Sequence, residues 1–124
     1  MIILDATTKS LEIVLGGAVA TNQLPVCTEY VDTTTTAFTP IHNDTASNNT
    51  TPVTIVAAPA SSTQRAIKAI NVYNRDTASV TVTIQYNNNG TTRIMVKIAL
   101  AADSTLFYTD AEGWRVITTA GALL

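Results

Sequence analysis

Ala78-Ser79-Val80-Thr81-Val82-Thr83-Ile84-Gln85-Tyr86-Asn87-Asn88-Asn89-Gly90-Thr91-Thr92-Arg93-Ile94-Met95-Val96-Lys97-Ile98-Ala99-Leu100 reads as one long β-hairpin with its turn written in. Val80, Val82, Ile84 and Tyr86 alternate with Ser79, Thr81, Thr83 and Gln85, the period-two pattern of a half-buried strand. Asn89-Gly90 is the pair that best tolerates the positive φ angles of a tight hairpin turn. The chain then returns with Ile94, Val96, Ile98 and Leu100 on one face and Arg93, Met95, Lys97 and Ala99 on the other. The expected core is therefore Val80, Val82, Ile84, Ile94, Val96, Ile98 and Leu100, joined by Ile70 and Val72 of the preceding strand and by Trp114 as a large anchor.

Outward from this hairpin the pattern continues as a meander. Val53–Val56 reads as a strand, Ala57–Gln64 with Pro59 as a turn, and Arg65–Tyr73 as a strand ended by Asn74-Arg75-Asp76. Thr105–Tyr108 and Trp114–Ile117 form a closing pair. Short strands with turn signals every 8–12 residues predict an all-β antiparallel sandwich, jelly-roll-like, of about eight strands. Val26–Phe38 places Val26, Thr28, Tyr30 and Asp32 on one face, and Cys27, Glu29, Val31 and Thr33 on the other. Neither face is cleanly apolar, which predicts an edge or interface strand. Pro40–Thr51, rich in Asn, Thr and Ser, reads as an exposed loop. Residues 1–25 read as an N-terminal arm or first strands, and residues 26–124 as the sandwich proper, in a single domain overall.

Composition agrees. The 124 residues carry only 13% charged side chains, about half the usual share, and threonine fills much of the gap. Thr suits the solvated face of a strand and is a mediocre helix former. A surface so poor in charge is easy to desolvate, as a permanently assembled subunit requires. The net charge of −2 offers no basic footprint for nucleic acid. No run approaches the ~20 apolar residues of a membrane span, and Met1-Ile2-Ile3-Leu4 is too short for a signal sequence, so synthesis in a cytoplasm without secretion is expected.

Chemistry is sparse in the text of the chain. His42 is the sole histidine and Cys27 the sole cysteine, so no multi-His metal site, His-relayed pair or intrachain disulfide is expected. His42 reads as a solvated loop residue, Cys27 as a small buried hydrophobe. The nine carboxylates are scattered, with Asp76, Asp103, Asp110 and Glu112 in turns, and none forms an Asp-x-Asp-x-Asp calcium loop. Gly16-Gly17 lacks the continuation of a phosphate loop. No catalytic residue, cofactor or metal is expected. Tyr108, Trp114 and the 40–51 segment are the residues from which a carbohydrate-binding platform would be built. The apolar ends, Met1, Ile2, Ile3, Leu4, Leu123 and Leu124, are expected interface elements, because chain ends are normally polar and frayed unless tied down.

Several phrases resemble small virion proteins of tailed bacteriophages. They are Leu4-Asp5-Ala6-Thr7-Thr8-Lys9-Ser10-Leu11-Glu12-Ile13-Val14-Leu15, the 18–25 stretch, Tyr30-Val31-Asp32, Val56-Ala57-Ala58-Pro59, Ile70-Asn71-Val72-Tyr73-Asn74-Arg75-Asp76, Asn88-Asn89-Gly90-Thr91-Thr92-Arg93, and Tyr108-Thr109-Asp110 before Gly113-Trp114. The resemblance covers most of the chain and is one of texture and phrase order. It implies a structural, non-enzymatic protein of the virion with a β-sandwich or jelly-roll fold. Such proteins are often trimeric head decoration (cement) proteins bound to the major capsid protein; others serve in the tail or baseplate.

Overall fold

The computed structural model describes residues 1–124 as ten strands and no helix. They are β1 (Ile2–Leu4), β2 (Lys9–Leu15), β3 (Pro25–Thr33), β4 (Phe38–Ala46), β5 (Val53–Val56), β6 (Gln64–Tyr73), β7 (Val80–Asn88), β8 (Thr91–Leu100), β9 (Thr105–Thr109) and β10 (Gly113–Ile117). Two antiparallel sheets form a β-sandwich. One sheet runs β10-β9-β6-β3-β4, with β1 also on β6, and the other runs β5-β2-β7-β8. Three hairpins stay within a sheet, β3–β4, β7–β8 and β9–β10. The other connections cross between sheets, as a jelly-roll-like sandwich calls for.

Between the sheets lies one apolar core. Leu11, Ile13 and Leu15 of β2 and Val80, Val82 and Ile84 of β7 meet Val26 of β3, Ile67, Ile70 and Val72 of β6, and Leu106 of β9. Spacing of two puts each set on one face of its strand, except in β6, where a bulge at Lys68 lets Ile67 and Ile70, three apart, share the inner face. Residues 1–25 are integral to this core. β2 is an interior strand, and β1 lies end to end with β9 along the same edge of β6, so that Ile2 and Leu4 are buried in their own domain.

The quoted hairpin forms with Asn89 at φ 51° and Gly90 at φ 92°, both in the left-handed region that a two-residue turn requires. One expected core residue is corrected. Ile84 pairs with Val96 and Gln85 with Ile94, so Met95 is an extra residue in β8, a β-bulge. A one-residue insertion reverses the faces beyond it. Ile94 consequently shares the outer face with Gln85 and is 61% exposed, whereas Leu100 is fully buried. Val96, Ile98 and Trp114 pack against the core but are only partly covered, because β8 and β10 are edge strands of the two sheets.

Two further expectations are corrected. β3 is an interior strand between β4 and β6, not an edge. Its inward polar residues bring their own partners: the Thr28 hydroxyl donates to the Ile55 carbonyl at 3.1 Å, and Asp32 receives a fork from Arg65 at 2.7 and 2.8 Å. Arg65 also donates to the Ala57 carbonyl at 2.7 Å and lies 4.5 Å from the centre of the Tyr30 ring. The segment read as a loop is mostly strand β4, paired with β3 along its whole length. Pro40 is tolerated there because an edge strand needs its backbone donors on one side only.

The sandwich's loops are tied by side chains. Asp76, in the β6–β7 turn, accepts from the Ala20, Thr21 and Asn22 amides at 2.8, 2.8 and 3.1 Å and from the Thr21 hydroxyl at 3.0 Å. These bonds, first of all the one from Ala20, hold its carboxyl well below the usual carboxylate range. Buried Asn74 donates to the Leu100 and Ala78 carbonyls at 2.8 and 3.0 Å, closing the same end of the molecule.

Candidate functional site

Two surface regions, at opposite edges of the larger sheet, concentrate the features that a functional site requires. The first is apolar. Edge strands β8 and β10 belong to different sheets, and no strand closes the gap between them. The opening is a groove of about 230 Å³ lined by Val96, Ile98, Leu106, Trp114, Arg115, Val116 and Leu124. The C-terminal residues reach it because Ile117 bridges Leu123 and the Leu124 amide donates to the Val116 carbonyl at 2.8 Å. Gly121 makes the return possible with φ at 78°. Leu123 and Leu124 nevertheless remain mostly exposed, as do Ile94 and, less fully, Met95 on β8.

Of the six expected interface residues, Met1, Ile3, Leu123 and Leu124 are exposed. Ile2 and Leu4 are not available, because pairing of β1 with β6 turns them into the core. The Met1 amino group lies 3.8 Å from Asp110, at the point where β1 and β9 meet.

The second region is polar and lies on the outer face of β3 and β4. Cys27 stands directly opposite Asp44, and Glu29 directly opposite His42. Two positions on each strand thus place four side chains in a square on one face. Cys27 is exposed, which corrects its expected burial: it takes an outward position on β3. His42 Nε2 is 2.7 Å from Asp44 Oδ1, and His42 Nδ1 is 3.8 Å from Glu29 Oε1. The ligand atoms of Cys27, His42 and Asp44 all lie within 4.8 Å of one another. A hydrogen bond to Asp44, then partial burial, pushes the Cys27 thiol up; the same bond and one to His42 lower the Asp44 carboxyl. Beside them a shallow depression of about 310 Å³ is lined by Val31, Pro40, Ile41 and Lys68 together with Glu29, Tyr30 and His42. Lys68 is engaged by Asp110 at 3.0 Å.

The carbohydrate platform is not assembled. Tyr108 is buried against Trp114, ring centres 5.1 Å apart, at the β9–β10 end of the sheet, whereas residues 40–46 form its opposite edge. The polar square was missed for a physical reason. Its facing pairs, Cys27 with Asp44 and Glu29 with His42, are 17 and 13 residues apart along the chain, and only the β3–β4 register brings them together. The alternation Cys27-x-Glu29 and His42-x-Asp44 is the one signal that the sequence carries.

No protein-family model matches this chain, and no curated protein or solved structure is detectably similar to it.

Proposed function

We propose that this chain is a non-enzymatic structural subunit of a tailed-bacteriophage virion, a head decoration protein that binds the outside of the capsid lattice as a homotrimer. The observation that carries this reading is the open apolar edge between β8 and β10. An isolated domain leaves Val96, Ile98 and Trp114 half-covered there and Leu124 exposed, with Leu123 exposed beside it and Ile94 and Met95 exposed on β8. Contiguous apolar surface of this kind marks an interaction site, and the sparse charge of the chain lowers the cost of desolvating it. The phage-like phrases of the sequence supply the setting. The mechanism is distributed burial. Each copy covers its apolar edge against a sister subunit and capsid neighbours, and many modest contacts together strengthen the shell against the pressure of packaged DNA.

Removal of residues 122–124, and separately Val96→Lys, tests this. Both changes lie at a partly open edge, where Val96 packs on the core without being enclosed by it, so a folded though somewhat less stable domain is expected. Light scattering should report a lower mass than for the parent, and co-sedimentation with phage heads should weaken at least tenfold. If both variants fold, keep the parental mass and bind heads as before, the proposal is wrong. Co-purification with tails instead of heads would move the subunit to the tail or baseplate.

A further inference from the structure

We propose that Cys27, His42 and Asp44 form a site for a zinc-type divalent cation on the outer face of the β3–β4 hairpin, with Glu29 orienting the imidazole. Independent of the assembly edge, the site stands on the geometry of four cross-strand neighbours.

The donor set suits the ion. Thiolate and imidazole select borderline-soft metals such as Zn²⁺ over Mg²⁺ or Ca²⁺, and a carboxylate completes a common zinc combination. Tetrahedral bonds of about 2.0–2.3 Å place zinc ligands roughly 3.5 Å apart. The three ligand atoms already lie within 4.8 Å of one another, so small side-chain rotations bring them to an ion at their centre. The backbone beneath them is held: β3 is paired on both sides, and β4 is paired with it from Phe38 to Ala46. Such a frame keeps the Cβ positions fixed before the ion arrives.

The two ring nitrogens of His42 have distinct neighbours. Nε2 faces Asp44 and Nδ1 faces Glu29. An ion held between Nε2, the Asp44 carboxylate and the Cys27 sulfur replaces the hydrogen bond that now links His42 to Asp44. Glu29, now 3.8 Å from Nδ1, then closes to accept a hydrogen bond from Nδ1–H, which fixes the tautomer that leaves the Nε2 lone pair free for the metal. Binding releases the thiol proton of Cys27 to solvent. The exposed face leaves the fourth coordination position open to water.

Cobalt(II) titration of the untagged, reduced protein is the first test, because a thiolate–cobalt bond gives a near-ultraviolet charge-transfer band and a tetrahedral site gives intense visible bands. One equivalent of Co²⁺ per chain should saturate both bands, and Zn²⁺ should bleach them. Cys27→Ser should abolish the charge-transfer band. His42→Ala and Asp44→Asn should each weaken binding at least tenfold, and Glu29→Gln severalfold. All four positions are on the solvent face, and circular dichroism should report the parental fold. Thermal melts add a second measurement: Zn²⁺ should raise the melting temperature of the parent and leave that of His42→Ala unchanged. Absence of the charge-transfer band in the parent, or its persistence in His42→Ala with unchanged affinity, overturns the proposal. Because these variants leave the β8–β10 edge intact, they should keep the parental mass and head binding, which separates failure of this site from failure of the assembly surface.

Discussion

The two edges of this sandwich solve the same problem in opposite ways. At β4 the exposed strand presents Thr39, Pro40, His42 and Asp44, polar groups and a proline that discourage another strand from pairing, with one exposed aromatic, Phe38, at its start. At β8 and β10 the sandwich is left ajar, and half-covered Val96, Ile98 and Trp114, with exposed Leu124, look out through the gap. A free-standing domain has reason to guard both edges. Guarding one and opening the other gives the molecule a direction: the apolar edge is where burial remains to be gained, and the polar edge is where charge and ligand chemistry stay accessible.

Both edges hang on the same core, so the harshest way to break the comparison is to remove that core. Val82 is fully buried between the sheets. Val82→Asp would bury an unpaired carboxylate, and no folded protein is expected. Far-UV circular dichroism showing a soluble, folded β protein would mean that the register of β7 is wrong.

A gentler break acts on the polar side alone. The Arg65 guanidinium joins β6 to Asp32 of β3, caps the Ala57 carbonyl and lies over Tyr30. Arg65→Ala leaves Asp32 without its partner in a mostly buried place and should cost about 2–3 kcal/mol, somewhat below a fully buried pair. Chemical denaturation measures that loss. Trp114, the only tryptophan and a reporter of the β10 edge, should keep its native emission in the folded variant. A red-shifted native spectrum would show that the two edges are coupled.

The stability of the molecule should also fall in acid, at the end where Asp76 ties the 20–22 segment to the β6–β7 turn. The folded-state pKa of Asp76 lies well below its ordinary value, so its contribution is present above about pH 4 and is lost as pH falls through the folded pKa. Asp76→Asn keeps the shape, loses the charge and presents an NH₂ group to the amide donors. Its melting temperature at pH 7 should drop by on the order of 10 °C. The gap between variant and parent should narrow steadily below pH 4. A gap that stays constant down to pH 2 would mean that the clamp does not depend on ionised Asp76.

How much of this was legible follows from where polar residues sit. The β7–β8 hairpin advertises itself because its threonines alternate with valines and isoleucines that, Ile94 apart, face in, with Asn89-Gly90 between the strands. β3 did not, because Thr28 and Asp32 point inward and are satisfied by Ile55 and Arg65, partners that only the folded topology supplies. β4 was obscured for the complementary reason: an edge strand is allowed Pro, Asn and Asp, the same residues that mark loops. The polar square on these two strands inherits both difficulties, and the lone His and lone Cys looked isolated because their neighbourhood is cross-strand. The apolar chain ends were half-legible. Hydropathy singled them out, but alternation along β1 sends Ile2 and Leu4 inward and only Ile3 outward.

The smallest expected effect tests the finest of these distinctions, the bulge at Met95 that turns Ile94 outward on the lip of the open edge. Alternation from Leu100 back through Ile98 and Val96 would bury Ile94, and loss of a buried isoleucine's packing typically costs several kcal/mol. With the bulge, Ile94 shares the solvent face with Gln85, so little packing is available to lose. Ile94→Thr, which keeps β-branching and strand propensity, should change unfolding free energy by less than about 0.5 kcal/mol. Val96→Thr, two positions along on the partly covered inward face, should cost measurably more, about 1 kcal/mol. Denaturant midpoints of the two variants decide it. If the costs are equal, or Ile94→Thr is the worse, strand β8 is unbulged and the apolar lip of the β8–β10 edge is smaller than described.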